Sequence, residues 1–200
     1  MQTLGKYKSF ILLGSVLLIL FVSVSVISAI WPRSEENFFE LGLLGKDMKA
    51  EGYFNNASVV SLDVPQQWNI YINNQMGTDQ LVLIKVKVLN STDPLPDDRQ
   101  NVWSPVKTSY VTTLPLSANQ STYIPLKWSV HDIQHTNDYD AIRSITINNS
   151  KVDVYVRSRD KRFCMVIELW VYDRVRQEFV FGWNSGKEFY SISIYMWFKT

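Results

Sequence analysis

The sequence predicts an all-β protein: an Ig-like antiparallel β-sandwich carried on one N-terminal transmembrane helix. Three observations predict it. Residues 10–30 form an apolar block of 21 residues without a charge, Asn, Gln or Pro. Beyond residue 31 the chain falls into short runs that alternate apolar and polar residues with a two-residue period, and none keeps a convincing 3.6-residue period. Gly, Pro and Asn separate these runs at intervals of about 8 to 15 residues, the spacing of a sandwich.

The apolar block comes first. As a helix, 21 residues rise about 31 Å, against about 30 Å of bilayer hydrocarbon. Residues 10–31 therefore read as a transmembrane helix in contact with membrane lipid. Trp31 stands at the far interface and Pro32 stops the helix. Lys6 and Lys8 precede it, while Arg33 is balanced by Glu35 and Glu36, so residues 1–9 form a cytoplasmic tail and residues 32–200 an extracytoplasmic domain at the cell membrane. A cleaved signal peptide is the rival reading. Its apolar region runs about 7 to 15 residues, and cleavage after Ser28 or Ala29 would leave Val26 or Ile27 where a small residue is needed. A pilin-like filament subunit is a further alternative, with Gly5-Lys6 in the reverse of the order that pilin processing uses.

Without Lys6 and Lys8 the remainder carries 18 basic against 19 acidic residues. So balanced a surface argues against tight docking on anionic lipid and against nucleic acid as a partner. Within it, 59–64, 68–73 and 81–89 read as strands, the last with Val82, Ile84, Val86 and Val88 on one face opposite Lys85 and Lys87. The runs 106–114, 122–130, 142–147 and 152–156 continue the series. In 163–171, Phe163, Met165, Ile167, Leu169 and Val171 alternate with Cys164, Val166, Glu168 and Trp170, which predicts a half-buried strand. The run 177–183 is entered through a polar loop at 173–176 and left through Asn184-Ser185-Gly186, and a half-buried final strand alternates from Phe189 to Phe198. This makes nine or ten strands. The longest strand-poor loop, 91–104, is a candidate recognition loop.

The domain opens on Phe38-Phe39-Glu40-Leu41-Gly42-Leu43-Leu44-Gly45-Lys46-Asp47-Met48-Lys49-Ala50-Glu51-Gly52-Tyr53. This stretch resembles the opening motif of an archaeal membrane family catalogued as domain of unknown function 1616: Phe and Glu, an aliphatic strand, Leu-Gly, a short turn, Lys-Ala and a closing Gly-Tyr. The Glu168-Leu169-Trp170 strand and the aromatic-rich end of the chain are also similar. Met48 stands where that family usually has a turn Gly, and Phe54 where it usually has Pro. The resemblance implies an Ig-like outer domain with no established activity.

Candidate sites are few. Sequons at Asn56, Asn90, Asn119 and Asn148 fall at expected loops or strand ends, where a glycan acceptor must lie. His131 and His135, the only histidines, would share a face on a helix and could chelate a metal with Asp132, Asp138 or Asp140 nearby. The turn-forming Asn137 and Asp138 favour a polar connecting loop over 131–140 instead. Asp93, Asp97 and Asp98 offer oxygen ligands without EF-hand spacing and read as solvated loop charge. Cys164, the only cysteine, excludes an internal disulfide and reads as an inert buried thiol. Trp68, Tyr110, Tyr123, Trp128, Trp170 and Trp183 supply core aromatics or a binding platform. With no phosphate loop, nucleophile elbow or paired-carboxylate motif, the sequence points to no enzyme and no cofactor. The expected role is interaction or envelope structure at the cell surface, with a protein or glycan partner. An extracytoplasmic metal-binding accessory protein is the remaining alternative.

Overall fold

The computed structural model describes residues 37–55, 58–185 and 188–200, together with Leu18, Leu20, Phe21 and Ser23, which are helical. The rest of the tail 1–9 and of the segment 10–31 lies outside the described residues. Among the described residues no helix is long and apolar enough to cross a membrane.

The chain from Glu36 to Thr200 is one compact unit. Its described residues form twelve strands: β1 (Phe38–Leu44), β2 (Gln66–Gln75), β3 (Gln80–Asn90), β4 (Tyr110–Leu116), β5 (Ser121–His135), β6 (Asp140–Ile147), β7 (Ser150–Ser158), β8 (Arg162–Asp173), β9 (Glu178–Phe181), β10 (Trp183–Ser185), β11 (Glu188–Tyr190) and β12 (Ser193–Lys199). One sheet runs β1-β2-β5-β6-β7 and the other β12-β8-β3-β4, with β9 on the same edge of β8 as β12 and β10-β11 as a separate pair. All paired strands are antiparallel. The orders β1-β2-β5 and β12-β8-β3 match A-B-E and G-F-C of an Ig-type sandwich, and the β6–β7 meander fills the place of strand D. The expected all-β sandwich is thus present.

Alternation explains which side of each strand faces the core. Trp68, Ile70 and Ile72 on β2, Leu126, Trp128 and Val130 on β5, alternate residues Val82, Ile84, Val86 and Val88 on β3 and Phe163, Met165, Ile167, Leu169 and Val171 on β8 meet between the sheets. An aromatic column anchors the middle: Trp68 lies edge-on to Trp128 at 5.0 Å, and Phe198 lies 5.1 Å from Trp128 and 5.9 Å from Phe163. Such pairs add to the energy of area burial.

Several expectations need correction. The run 59–64 forms no ladder; it makes single parallel bridges, Val59 to Lys199 and Leu62 to Val130, because Ser58 and Asp63 sit at positive φ and break the extended backbone. Val60 is nonetheless buried, so its apolar pattern reflects a plug. The run 177–183 breaks at Gly182, where φ is 113° and a Cβ would stand 2.1 Å from the Tyr190 carbonyl oxygen, so only Gly fits. The final strand breaks at Ser191 because its partner changes from β10 to β8. The segment 131–140 is strand as far as His135, with bulges around Asp132, and the loop is only residues 136–139. β8 is buried on both faces from Phe163 to Val171 instead of one, for a reason the site supplies. At the β1–β2 turn, Met48 occupies φ 59°, the left-handed conformation that favours Gly.

The ends of the sandwich differ. Phe38 pairs with Gln75, so the chain enters beside the β2–β3 turn, and the β8–β9 turn joins that end through Arg174, which donates to the Asp79 carbonyl (3.2 Å). The opposite, far end carries the C-terminus, the start of the 91–104 loop and the turns at 136–139 and 159–161.

Candidate functional site

The β12-β8-β3-β4 sheet has an outer face that the alternation leaves half apolar: Leu83, Lys85, Lys87 and Leu89 on β3 beside Cys164, Val166, Glu168 and Trp170 on β8. Residues 91–109 cross this face as a strap. Leu95 and Val106 pack on Leu89, Cys164 and Val166, which buries the second side of β8.

A charge pair latches the strap. Lys87 Nζ lies 2.8 Å from Glu168 Oε1, and both side chains are buried. Lys87 also donates to the Ser104 carbonyl, while the Ser104 N–H donates to Glu168 Oε1 (2.9 Å) and Trp170 Nε1–H to Oε2 (3.0 Å). The carboxylate therefore receives three donors, as a buried charge requires. Further pins hold the strap: Asp98 accepts from the backbone and hydroxyl of Ser193 (3.0 and 2.9 Å), and Asn101 donates to the Phe189 carbonyl (3.2 Å). Burial raises the Asp98 carboxyl above the ordinary value; the Ser193 hydrogen bonds pull it back, and Asp97 and Glu168 add to the rise.

The latch places Trp103 on the outside. Its ring lies 5.5 Å from Trp170, yet 49% of the residue stays exposed, next to exposed Val102. Lys85 Nζ sits 3.2 Å from the centroid of the Trp170 ring. Burial, then the neighbouring charge of Lys87, lowers the Lys85 ammonium, and Glu168 opposes the shift. The result is an ordered aromatic and cationic patch. At the far end a separate, polar cleft of about 850 Å³ is lined by Asn90, Thr92, Asp138, Tyr139, Arg157 and Arg159, with the Arg157 guanidinium 4.9 Å over the Tyr139 ring.

The other candidates are dispersed. On a strand, residues four apart stand about 13 Å apart, so His131 and His135 part company: His131 pairs with Asp63 and with Thr146 Oγ1 (2.5 Å), His135 with Asp140 (3.0 Å). Among the described residues no group of three His, Cys, Asp or Glu could hold a metal ion. Asp93 accepts from the Asn90 backbone (2.9 Å), Asp97 caps Arg99 and Gln100, and Asp98 pins the strap. Burial pushes the Cys164 thiol up to about 12, against a single opposing hydrogen bond from Met196. Trp68, Trp128, Trp170 and Trp183 are buried, Tyr110 half-buried and Tyr123 exposed.

Of the sequons, Asn56 lies outside the described residues. Asn119 stands exposed in the β4–β5 turn at φ 58°. Asn90 Oδ1 accepts from the Thr92 N–H and hydroxyl (both 2.7 Å). Asn148 is engaged on both sides of its amide: Nδ2 donates to Tyr110 Oη (3.3 Å) and the Pro125 carbonyl (3.0 Å), and Oδ1 accepts from the Lys127 N–H (2.9 Å).

No family model and no curated protein matches the chain. Among solved structures it is similar to the CARDB domain of a Pyrococcus furiosus protein in complex with di-metal ions, at 8% identity and a TM-score of 0.40 over 82% of this chain and 94% of that one. It is also similar to a Kluyveromyces marxianus β-glucosidase in complex with glucose, at 10% identity and a TM-score of 0.34 over 82% of this chain and 14% of that one. A third is a Pseudomonas fluorescens alkylpurine DNA glycosylase bound to DNA, at 11% identity and 0.31 over 63% and 30%.

Sequence reasoning missed Lys87, Glu168 and Trp103. The signal was present: Glu168 is the one charge in an apolar run of nine, and Lys85 and Lys87 are the only charges in 81–89. A charge inside an apolar strand calls for a partner. Which partner depends on the β3–β8 register, which no local pattern encodes.

Proposed function

We propose that the chain is a single-pass membrane protein whose sandwich stands outside the membrane and binds a protein partner through the strapped face around Trp103, without catalysis. The observation that carries the binding reading is Trp103: half exposed, backed by Trp170, and on a strap fixed by a buried charge pair. An aromatic group ordered in advance loses little entropy on association, and Trp is enriched at the energetic centres of interfaces. The apolar block 10–30 and the flanking Lys6 and Lys8 support the anchor and its orientation. The likeness of residues 38–53 to the archaeal family supports kinship with it, and Met48 takes the left-handed backbone that a turn Gly favours.

The test uses the full chain in intact cells. A photoreactive group at position 103 is expected to capture a protein, whereas one at exposed Lys151 on β7 is not. Equal capture at both positions refutes the binding surface, and a glycan adduct replaces the partner class. Carbonate washing of the membranes tests the anchor separately; release of uncleaved chain refutes it.

A further inference from the structure

The entry end of the sandwich carries a feature that the strapped face does not use. The β8–β9 turn projects Val175 at 92% exposure, the highest of any large apolar residue among those described. The projection is built. Asp173 Oδ1 accepts from the N–H groups of Val175 (2.8 Å) and Arg176 (3.1 Å), and Gln177 closes the turn at φ 56°. Arg174 and Arg176 flank the valine; Arg176, still largely exposed, pairs with Asp173 (3.5 Å), and Arg174 ties the turn to β2–β3 through the Asp79 carbonyl. A cleft of about 530 Å³ opens beside it, lined by Met76, Thr78 and Trp183 among others.

This is the end at which the chain arrives. Trp183 Nε1 donates to the Asn37 carbonyl (3.1 Å), and Phe38 pairs with Gln75 at the last position of β2. From Trp31, the last residue of the apolar segment, to Asn37 there are six residue steps, a reach of about 21 Å at full extension. A ten-residue strand such as β2 is about 33 Å long. If residues 10–31 cross a bilayer, Asn37 can stand at most about 21 Å from it, so the entry end is the end held within reach of lipid.

We propose that the entry end docks on the lipid surface, with Val175 among the headgroups and Arg174 and Arg176 at the level of the lipid phosphates. The proposal rests on the membrane-anchored reading above. An apolar tip between cations fits an interface that is apolar below and anionic at the phosphates, whereas an aqueous setting leaves the valine exposed with nothing to cover it. Docking would also fix the tilt of the domain, and with it the direction in which the strapped face points.

The full chain, reconstituted in vesicles of phosphatidylcholine and phosphatidylglycerol, tests this with a fluorophore on Thr78→Cys; buried Cys164, its thiol pushed up to about 12, stays unlabelled. The same label on Asn137→Cys at the far end is the control. Quenching by nitroxide-bearing lipid is expected to be at least threefold stronger at 78 than at 137. It is expected to fall to the control level in Val175→Asp and by at least half in Arg174→Gln/Arg176→Gln. Thermal melts of each variant confirm folding. If the chain floats with the vesicles but both labels quench alike, or neither set of substitutions changes the signal, the docking is refuted and the anchor stands. If the chain does not float with vesicles at all, the anchored reading fails and the docking with it.

Discussion

Replacing Lys87 with Met, or Glu168 with Gln, should each destabilise the sandwich by about 3–5 kcal/mol, the cost of leaving one buried charge without its partner. The figure applies because both side chains are buried, 3% and 0% exposed, with Nζ and Oε1 2.8 Å apart. In Lys87→Met the carboxylate keeps the Ser104 and Trp170 donors but loses its counter-charge; in Glu168→Gln the ammonium keeps only neutral acceptors, the Ser104 carbonyl and the new amide oxygen. For a domain of this size such a loss lowers Tm by roughly 6–20 °C. The double variant removes both charges and leaves an amide oxygen at position 168 to accept from the Ser104 N–H, while the Ser104 carbonyl and the Trp170 Nε1–H lose their partners, so its cost should fall well short of the sum of the singles, at about 1–3 kcal/mol for each group left unpaired. Urea titration of all four proteins gives the coupling. Hydrogen exchange should also show residues 91–109 opening in both single variants before the sheet does. Single-variant costs below about 1 kcal/mol, the range of surface pairs, would refute the latch. So would a double variant equal to the sum of the singles within about 0.5 kcal/mol.

Trp68 and Trp128 offer a matched comparison, since Trp68 Nε1 donates to the Tyr53 carbonyl while Trp128 Nε1 is buried without a partner. Trp68→Phe should therefore cost about 1–3 kcal/mol more than Trp128→Phe in denaturant melts, and equal costs would remove the hydrogen-bond argument. Met48→Gly should stabilise by about 0.5–1 kcal/mol, the relief of a left-handed backbone net of added unfolded-state entropy, and a lower Tm would contradict it. Burial alone would raise the Asp160 carboxyl, yet hydrogen bonds from Ser158, Arg162 and Ser91 hold it well below its usual 3.8. A depressed folded value gives stability that is present above pH 3.8 and lost as pH falls toward the folded value. Asp160→Asn should thus flatten the acid limb of a Tm-against-pH profile, and an unchanged limb would refute this. Cys164, its thiol pushed up to about 12 by burial, should resist a maleimide at pH 8 in the folded chain and react at once in urea; fast reaction when folded would show the strap to be open.

Strands were legible wherever a two-residue alternation coincided with one buried face, as on β2, β3 and β12. The double burial of β8 was not, because its cover comes from Leu95, Val106 and Trp103, single apolar residues among prolines and aspartates whose local composition signals a free loop. The latch joins positions 81 residues apart, so its existence depends on pairing across the sheet. Polar residues at 131–135 looked like a connection because β5 there runs past the core, where alternation carries no apolar signal. The opposite error came at 59–64, where an alternating run supplies one buried plug and no ladder.

The position of β1 has a mechanical consequence. Phe38, at the entry end, starts a seven-residue strand bonded to β2 along its whole length, with the backbone bonds lying across the strand axis. Were the chain anchored ahead of residue 37, as proposed, tension between that anchor and a load on the far end would run parallel to the strands. It therefore loads those bonds together in shear instead of peeling them one by one. Such a domain yields to sustained pulling at a rate set by its unfolding barrier, so a sandwich of moderate thermodynamic stability can still serve as a strong link.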